Sequence, residues 1–178
     1  MHPSSLESLP VAVIGGGPVG LAAAAHLISR GLSVKVYEAG PAVGCNLRHW
    51  GHVRVFTPWR YCVDTAATAL LARRGWRMPD AGAFPTGGDL VSAYLEPLAA
   101  TPELTAVIET NARVTAISRH GLDMVVSRER EARPFVLIVK VDASIRHDLA
   151  RAVVDAQAHG QRRTRSGRAV CRPWAKPN

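Results

Sequence analysis

Cysteine is scarce in this chain: Cys45, Cys62 and Cys171 are odd in number, far apart, and form neither a C-x-x-C pair nor a zinc-like spacing. That pattern excludes a disulfide framework and a dithiol redox centre, and it predicts reduced thiols in a cytoplasmic protein. Long apolar runs are lacking too. No stretch approaches the ~20 residues needed to cross a membrane. The first ten residues carry Glu7 and no Lys or Arg, which argues against a secretory leader. Net basic charge is nearly absent from most of the chain. The formal charge of +8 points to nucleic acid until it is located: Gln157 to Asn178 holds five Arg, one Lys and no acid, whereas the other 156 residues hold 16 bases and 14 acids. A tail of this kind makes salt-sensitive, nonspecific contacts and has no base-reading framework. The composition therefore predicts no membrane and no specific nucleic-acid partner.

What is present is material for a core. Hydrophobic residues make up 47% of the 178 and charged residues 20%, which suits one globular domain. Val11 to Ile14 is a short β-branched run ending in glycines, as in a buried parallel strand. Pro18 to Arg30 reads as a helix, with Pro18 in the first turn and Gly31 as its left-handed cap. Ser33 to Glu38 reads as a second strand, which completes a βαβ unit. Gly40 to Trp59, rich in Gly, Pro, Arg and aromatics, reads as a long functional loop with one short helix. Thr65 to Arg74 and Gly87 to Ala99 read as helices, the second capped by Asp89 or a nearby glycine. Beyond them the period changes to that of strands: Ala106–Glu109, Arg113–Ser118, Met124–Ser127, Phe135–Val141 and Ala150–Asp155. After Gln157 the hydrophobic pattern stops and disorder is expected. No internal repeat is present.

The segment Gly15-Gly16-Gly17-Pro18-Val19-Gly20 fits G-x-G-x-x-G, a weak motif alone. Here it follows a strand, opens a helix, and is answered by Glu38 at the end of the next strand, close to the ~20-residue offset of a ribose-binding acid. Gly15 permits the tight turn, Gly17 lets backbone approach a pyrophosphate, and Gly20 lets the helix pack on the sheet. The pyrophosphate then sits on the positive end of the Pro18 helix. Glu38 accepts hydrogen bonds from ribose hydroxyls and repels a 2′-phosphate. These features identify a dinucleotide site and leave FAD and NAD open.

The run Val11 to Leu27, with Val36-Tyr37-Glu38, resembles the FAD-binding N-terminus of the two-dinucleotide-binding flavoproteins. Trp50 to Trp59 and Phe84 to Leu95 are similar to segments of flavin-containing monooxygenase-like oxidoreductases, so the resemblance covers about residues 10–156. It implies an α/β, Rossmann-like doubly wound FAD-binding domain over residues 1–156, with an additional small β-rich section, followed by a basic tail over 157–178. It also implies that Gly15, Gly17, Pro18, Val19, Gly20 and Glu38 hold the ADP half of FAD. Segment 44–59 then lies near the flavin half, where Arg48 and Arg54 meet phosphate or ring oxygens and Trp50 and Trp59 wall the ring. The alternative for each of these four is an ordinary surface arginine or core tryptophan. Val114 matches the adenine-side strand.

Departures from the family pattern are informative. A second G-x-G-x-x-G for NADPH is missing, as is the usual monooxygenase linker fingerprint, and Cys45 stands where many relatives have glycine. No acid–base pair or nucleophile triad can be drawn, so the flavin would carry the redox chemistry. His26, His49, His52 and His120 form no metal spacing. Permitted codons for Gln157 to Arg168, read two bases later, encode Gly-Thr-Trp-Pro-Thr-Pro-Asn-Pro-Leu-Gly, a good family continuation. The resulting expectation is a frameshifted chain that has lost its NADPH and substrate parts. The function implied is a flavin-dependent, monooxygenase-like oxidoreductase domain acting on a small-molecule substrate, with NADPH used by full-length relatives. Its rival is a non-catalytic dinucleotide-binding fragment or truncated inactive product.

Overall fold

The computed structural model describes residues 6–121, 132–157 and 165–166. The expected strand Met124–Ser127, and nearly all of the tail expected to be disordered, lie outside the described residues. Strand β1 (Val11–Ile14) leads through helix α1 (Pro18–Ser29) to a parallel strand β2 (Val34–Tyr37). Helix α1 closes as the sequence predicts. Gly31 takes a φ of +72°, and the Gly31 and Leu32 amides donate to the Ile28 and Leu27 carbonyls at 2.9 and 3.1 Å. This is the Schellman arrangement that satisfies the last carbonyls of a helix.

Segment 40–59 contains a short helix α2 (Cys45–His49). Helix α3 (Thr65–Ala72) follows, its start capped by the Asp64 carboxylate, which accepts from the Ala66 and Ala67 amides. The next helical run is one rod in three parts: α4 (Gly87–Leu90), a π-helical stretch (Val91–Leu95) and α5 (Glu96–Ala99). Its cap corrects the sequence reading. Thr86 is the N-cap, and Asp89 is its partner three residues on in a reciprocal capping box. Helix α6 (Pro102–Thr105) leads to β3 (Ile108–Glu109), β4 (Ala112–Arg119), β5 (Phe135–Val141), β6 (Ser144–Ala150), β7 (Ala152–Asp155) and a two-residue strand β8 (Arg165–Ser166).

Two sheets result. The parallel one runs β3-β2-β1-β7, and the other runs β6-β5-β4-β8, antiparallel across β6, β5 and β4. The parallel sheet is buried on both faces, as its uniformly apolar first strand requires. Val13 and Val36 pack with Leu21, Ala24 and Ala25 of α1. Ala12, Ile14 and Tyr37 pack against Val114, Leu137 and Val139 of the second sheet.

The sequence pattern extends the last parallel strand back to Ala150 and gives no sign of β6. Ala150 ends β6, and the parallel strand begins at Ala152. Strand β6 escaped notice because Ser144–Ala150 has no run of apolar residues. Its Arg146 and Asp148 instead enter a polar cluster that ties it to β2 and β3. Lys35 Nζ lies 3.2 Å from Glu109 and 3.1 Å from Asp148, Arg146 pairs with both acids, and the Tyr37 hydroxyl donates to Asp148 at 2.8 Å.

Candidate functional site

At the end of β1 the chain turns at Gly15, whose φ of +105° suits glycine and few other residues. Gly20, in the first turn of α1, faces that turn: a Cβ on it would fall 1.9 Å from the Gly15 carbonyl oxygen. The helix therefore packs against the turn at a distance that admits no side chain. Gly17 is different. Nothing lies within 4 Å of where its Cβ would be, and it lines a cavity of about 490 Å³. The protein itself does not require glycine there, whereas a ligand in close contact with the backbone would. Gly17 is also the N-cap of α1, which starts at Pro18 and has no side-chain cap. The first-turn donors are thus not claimed by a capping side chain, an arrangement suited to an anion.

The carboxylate of Glu38, just past β2, faces the same turn. Its Oε2 accepts from the Gly16 amide at 2.6 Å and its Oε1 from the Gly40 amide at 2.7 Å. Each oxygen retains a second lone pair for a hydroxyl donor. The cavity mouth lies at the C-terminal ends of β1, β2 and β7, where Ile14, Tyr37 and Asp155 line it. Strand β1 has β2 on one side and β7 on the other, so this is the switch point at which open α/β sheets bind ligands. A volume of this size falls within the ~300–1,000 Å³ of small-molecule and cofactor pockets.

Gly15, Gly17, Pro18, Val19, Glu38 and Val114 are brought together on the cavity wall, with Gly20 packed behind. Arg48, Trp50 and Arg54 are not on that wall. Arg48 Nη2 pairs with Glu96 Oε1 at 2.5 Å. The Trp50 ring covers Gly87, where a Cβ would sit 2.7 Å from Trp50 Cε3. Arg54 is exposed and its backbone bridges Thr86. Trp59 is a core residue, 4% exposed, as the alternative reading held. His26 has a structural partner, Asp64 at 3.0 Å.

Other residues also line the cavity: Asn46 and His49 from α2, inside the segment 44–59 expected near the ligand, and Arg113 from β4 and Asp155 to Gln157 at the end of β7, which are not among the residues singled out from the sequence. Gly16 is only a spacer in the motif, although it is the middle one of three consecutive glycines. Behind the cavity floor, burial and the Asp148 carboxylate push the Tyr37 phenol far above its ordinary value. Glu109 is held low chiefly by its hydrogen bond from Arg146. Burial raises Asp148, but hydrogen bonds from Arg146, Tyr37 and Lys35 outweigh it and leave the acid below the usual carboxylate range.

Comparisons with known proteins agree with this geometry. Residues 13–78 match the family model of the NAD(P)-binding Rossmann-like domain. No curated protein matches the chain. Among solved structures, OTEMO in complex with FAD and NADP superposes with a TM-score of 0.62 at 20% identity, over 84% of this chain and 26% of its own. An oxidised steroid monooxygenase bound to NADP gives 0.61 at 24% identity, over 83% of this chain and 26% of its own. The bacillithiol disulfide reductase Bdr (YpdA) from Bacillus cereus gives 0.60 at 20% identity, over 83% and 39%. The chain thus spans between a quarter and two-fifths of the length of these proteins, and it shares their fold over that part. It contains a Rossmann-like dinucleotide-binding domain with a parallel sheet and a separate antiparallel one. Among the described residues no helix is long and apolar enough to cross a membrane.

Proposed function

We propose that this chain is the FAD-binding domain of a flavin-dependent oxidoreductase of monooxygenase-like type. The observation that carries the reading is the position of the Glu38 carboxylate on the same cavity as Gly17 and the uncapped start of α1. Gly15, Gly17, Pro18, Val19 and Gly20 form the turn and helix start that receive the pyrophosphate, whose charge the helix dipole favours. Glu38 accepts from the ribose diol, and its charge opposes a ribose 2′-phosphate, so this loop selects FAD over NADP. Val114 lies on the adenine side. Arg48, Trp50 and Arg54, outside the cavity wall, are assigned to the flavin side of α2. Bound FAD supplies the two-electron redox chemistry that the side chains here do not. NADPH is assigned the role of reductant in full-length relatives, in keeping with neighbours whose structures hold both cofactors.

The test is the visible absorbance of the purified chain before and after incubation with FAD and gel filtration. The two-band spectrum of oxidised flavin, retained with the protein peak, is the expected result. Retention of NAD in place of FAD would overturn the flavin assignment.

A further inference from the structure

The middle glycine of the loop is a spacer in the motif, yet in the structure both of its backbone groups are used. The Gly16 amide donates to Glu38 Oε2 at 2.6 Å, and the Gly16 carbonyl accepts from the Gly44 amide at 3.0 Å. The other oxygen of Glu38 holds the Gly40 amide at 2.7 Å, and the Gly40 carbonyl accepts from the Asn111 amide at 2.9 Å. Four segments that surround the cavity are therefore joined to one another: the turn after β1, the end of β2, the entry to α2 and the start of β4. The join is tight on the side-chain side as well. A Cβ on Gly16 would lie 3.0 Å from Glu38 Oε2 and 3.1 Å from Glu38 Cβ, and one on Gly40 would lie 2.4 Å from Cys45 Sγ.

We infer that Gly16 is a positioning residue: together with Glu38 and Gly40 it latches the walls of the cavity in the binding-competent geometry before the dinucleotide arrives. Glu38 then has two tasks, as structural clamp on two amides and as acceptor for the ribose. A protein that is competent only part of the time binds with its intrinsic dissociation constant divided by the competent fraction. Loosening the latch therefore weakens binding only to the extent that opening becomes frequent enough to lower that fraction. The consequence for affinity rests on the dinucleotide reading above, but the latch itself consists only of contacts within the protein.

The experiment is hydrogen exchange on the full, ligand-free chain, paired with FAD titration of the same samples. In the wild type the Gly16, Gly40 and Gly44 amides should be protected. Gly16→Ala should reduce protection across residues 38–47 by roughly 10- to 150-fold, the equivalent of one charge-assisted hydrogen bond, while β1 and β5 keep theirs. FAD affinity should fall only as far as the competent fraction does, so a variant that is still mostly closed keeps an affinity close to that of the wild type. Gly17→Ala, whose Cβ meets no protein atom within 4 Å, should leave the exchange pattern unchanged and lower FAD affinity only. Should Gly16→Ala fail to fold, Glu38→Gln, nearly isosteric and able to serve only one of the two amides, is read in the same way.

Rapid exchange of the Gly16 and Gly40 amides in the wild type overturns the latch, as does unchanged protection over 38–47 in either variant. If the exchange results are as expected but FAD does not bind the wild type, the latch stands and the flavin reading falls.

Discussion

The indole Nε1 of Trp76 donates to the backbone carbonyl of Ala93 at 2.7 Å. Ala93 lies in the π-helical part of the rod that runs from Gly87 to Ala99, four residues before Pro97. In an α-helix the amide of residue 97 would satisfy that carbonyl, but proline has no amide hydrogen and crowds the turn behind it. The helix relaxes locally to the wider π geometry, and a side chain from outside the rod takes over the acceptor. Trp76 is held for this task against Tyr94, with ring centroids 6.1 Å apart.

Trp76→Phe should therefore destabilise the protein by about 1 kcal/mol beyond the effect of lost area, since it removes the Nε1 donor. For a chain of this size that corresponds to a melting temperature lower by roughly 2–4 °C. Pro97→Ala, which restores an amide beneath the same carbonyl, should recover much of the loss in the double variant. Thermal melts of the two single variants and the double one form the cycle. Additive effects would show that the two groups do not share the acceptor.

The polar cluster between the sheets gives an acid limb to the stability profile. Glu109 and Asp148 are both held below their ordinary values by Lys35 and Arg146. A carboxylate with a depressed folded-state value adds stability above its unfolded value, ~4, and that stability is lost as the pH falls through the folded one. Unfolding midpoints in denaturant should thus be level near neutrality and fall below about pH 4. Asp148→Asn should lower the neutral plateau and shrink the acid limb. An acid limb of unchanged size in that variant would place its origin elsewhere, with Asp64, held low by the Ala67 amide and His26 against the opposing effect of burial, as the next group to test.

The parts legible in the sequence are those whose physics is local. The βαβ unit was readable because Gly15, Pro18, Gly31 and Glu38 each mark a turn, a helix start, a cap or a strand end by residue type alone. Strand β6 was not, because its partners are distant: Arg146 and Asp148 look like loop residues until Lys35, Tyr37 and Glu109 are set beside them. The same holds within the cavity. The glycines that turn the chain were evident, but Gly16 counts as a spacer until Glu38 is seen 22 residues away along the chain and 2.6 Å away in space. Arg48 carried a plausible anion-binding signal, and only the fold reveals Glu96 beside it.

That ion pair leads to a prediction that separates the two halves of the proposed ligand. Arg48 and Arg54 are exposed and absent from the cavity wall, so Arg48→Ala and Arg54→Ala should leave the affinity for ADP unchanged within about twofold, and an exposed pair contributes little to stability, ~0–1 kcal/mol. Calorimetric titration with ADP checks this. The same variants titrated with FAD report on the flavin side, where a loss for FAD alone agrees with the assignment made above. A loss for ADP in either variant would place that arginine at the pyrophosphate.

The charge of Glu38 allows a prediction on the relative affinity of two ligands. Removing a charge-assisted hydrogen bond costs about 1.5–3 kcal/mol, so Glu38→Ala should weaken FAD roughly 10- to 150-fold. Part of that loss comes from the freed Gly16 and Gly40 amides, and it applies to every ligand of the cavity. The ribose part does not. A 2′-phosphate brings its own negative charge to the position where the carboxylate lies, so removing the carboxylate relieves a repulsion for NADP while it removes an acceptor for FAD. The ratio of NADP to FAD affinity should therefore rise in Glu38→Ala. Paired titrations of the wild type and the variant with both ligands measure that ratio. An unchanged ratio, with both affinities lowered alike, would leave Glu38 only its role as clamp and remove it from ribose selection.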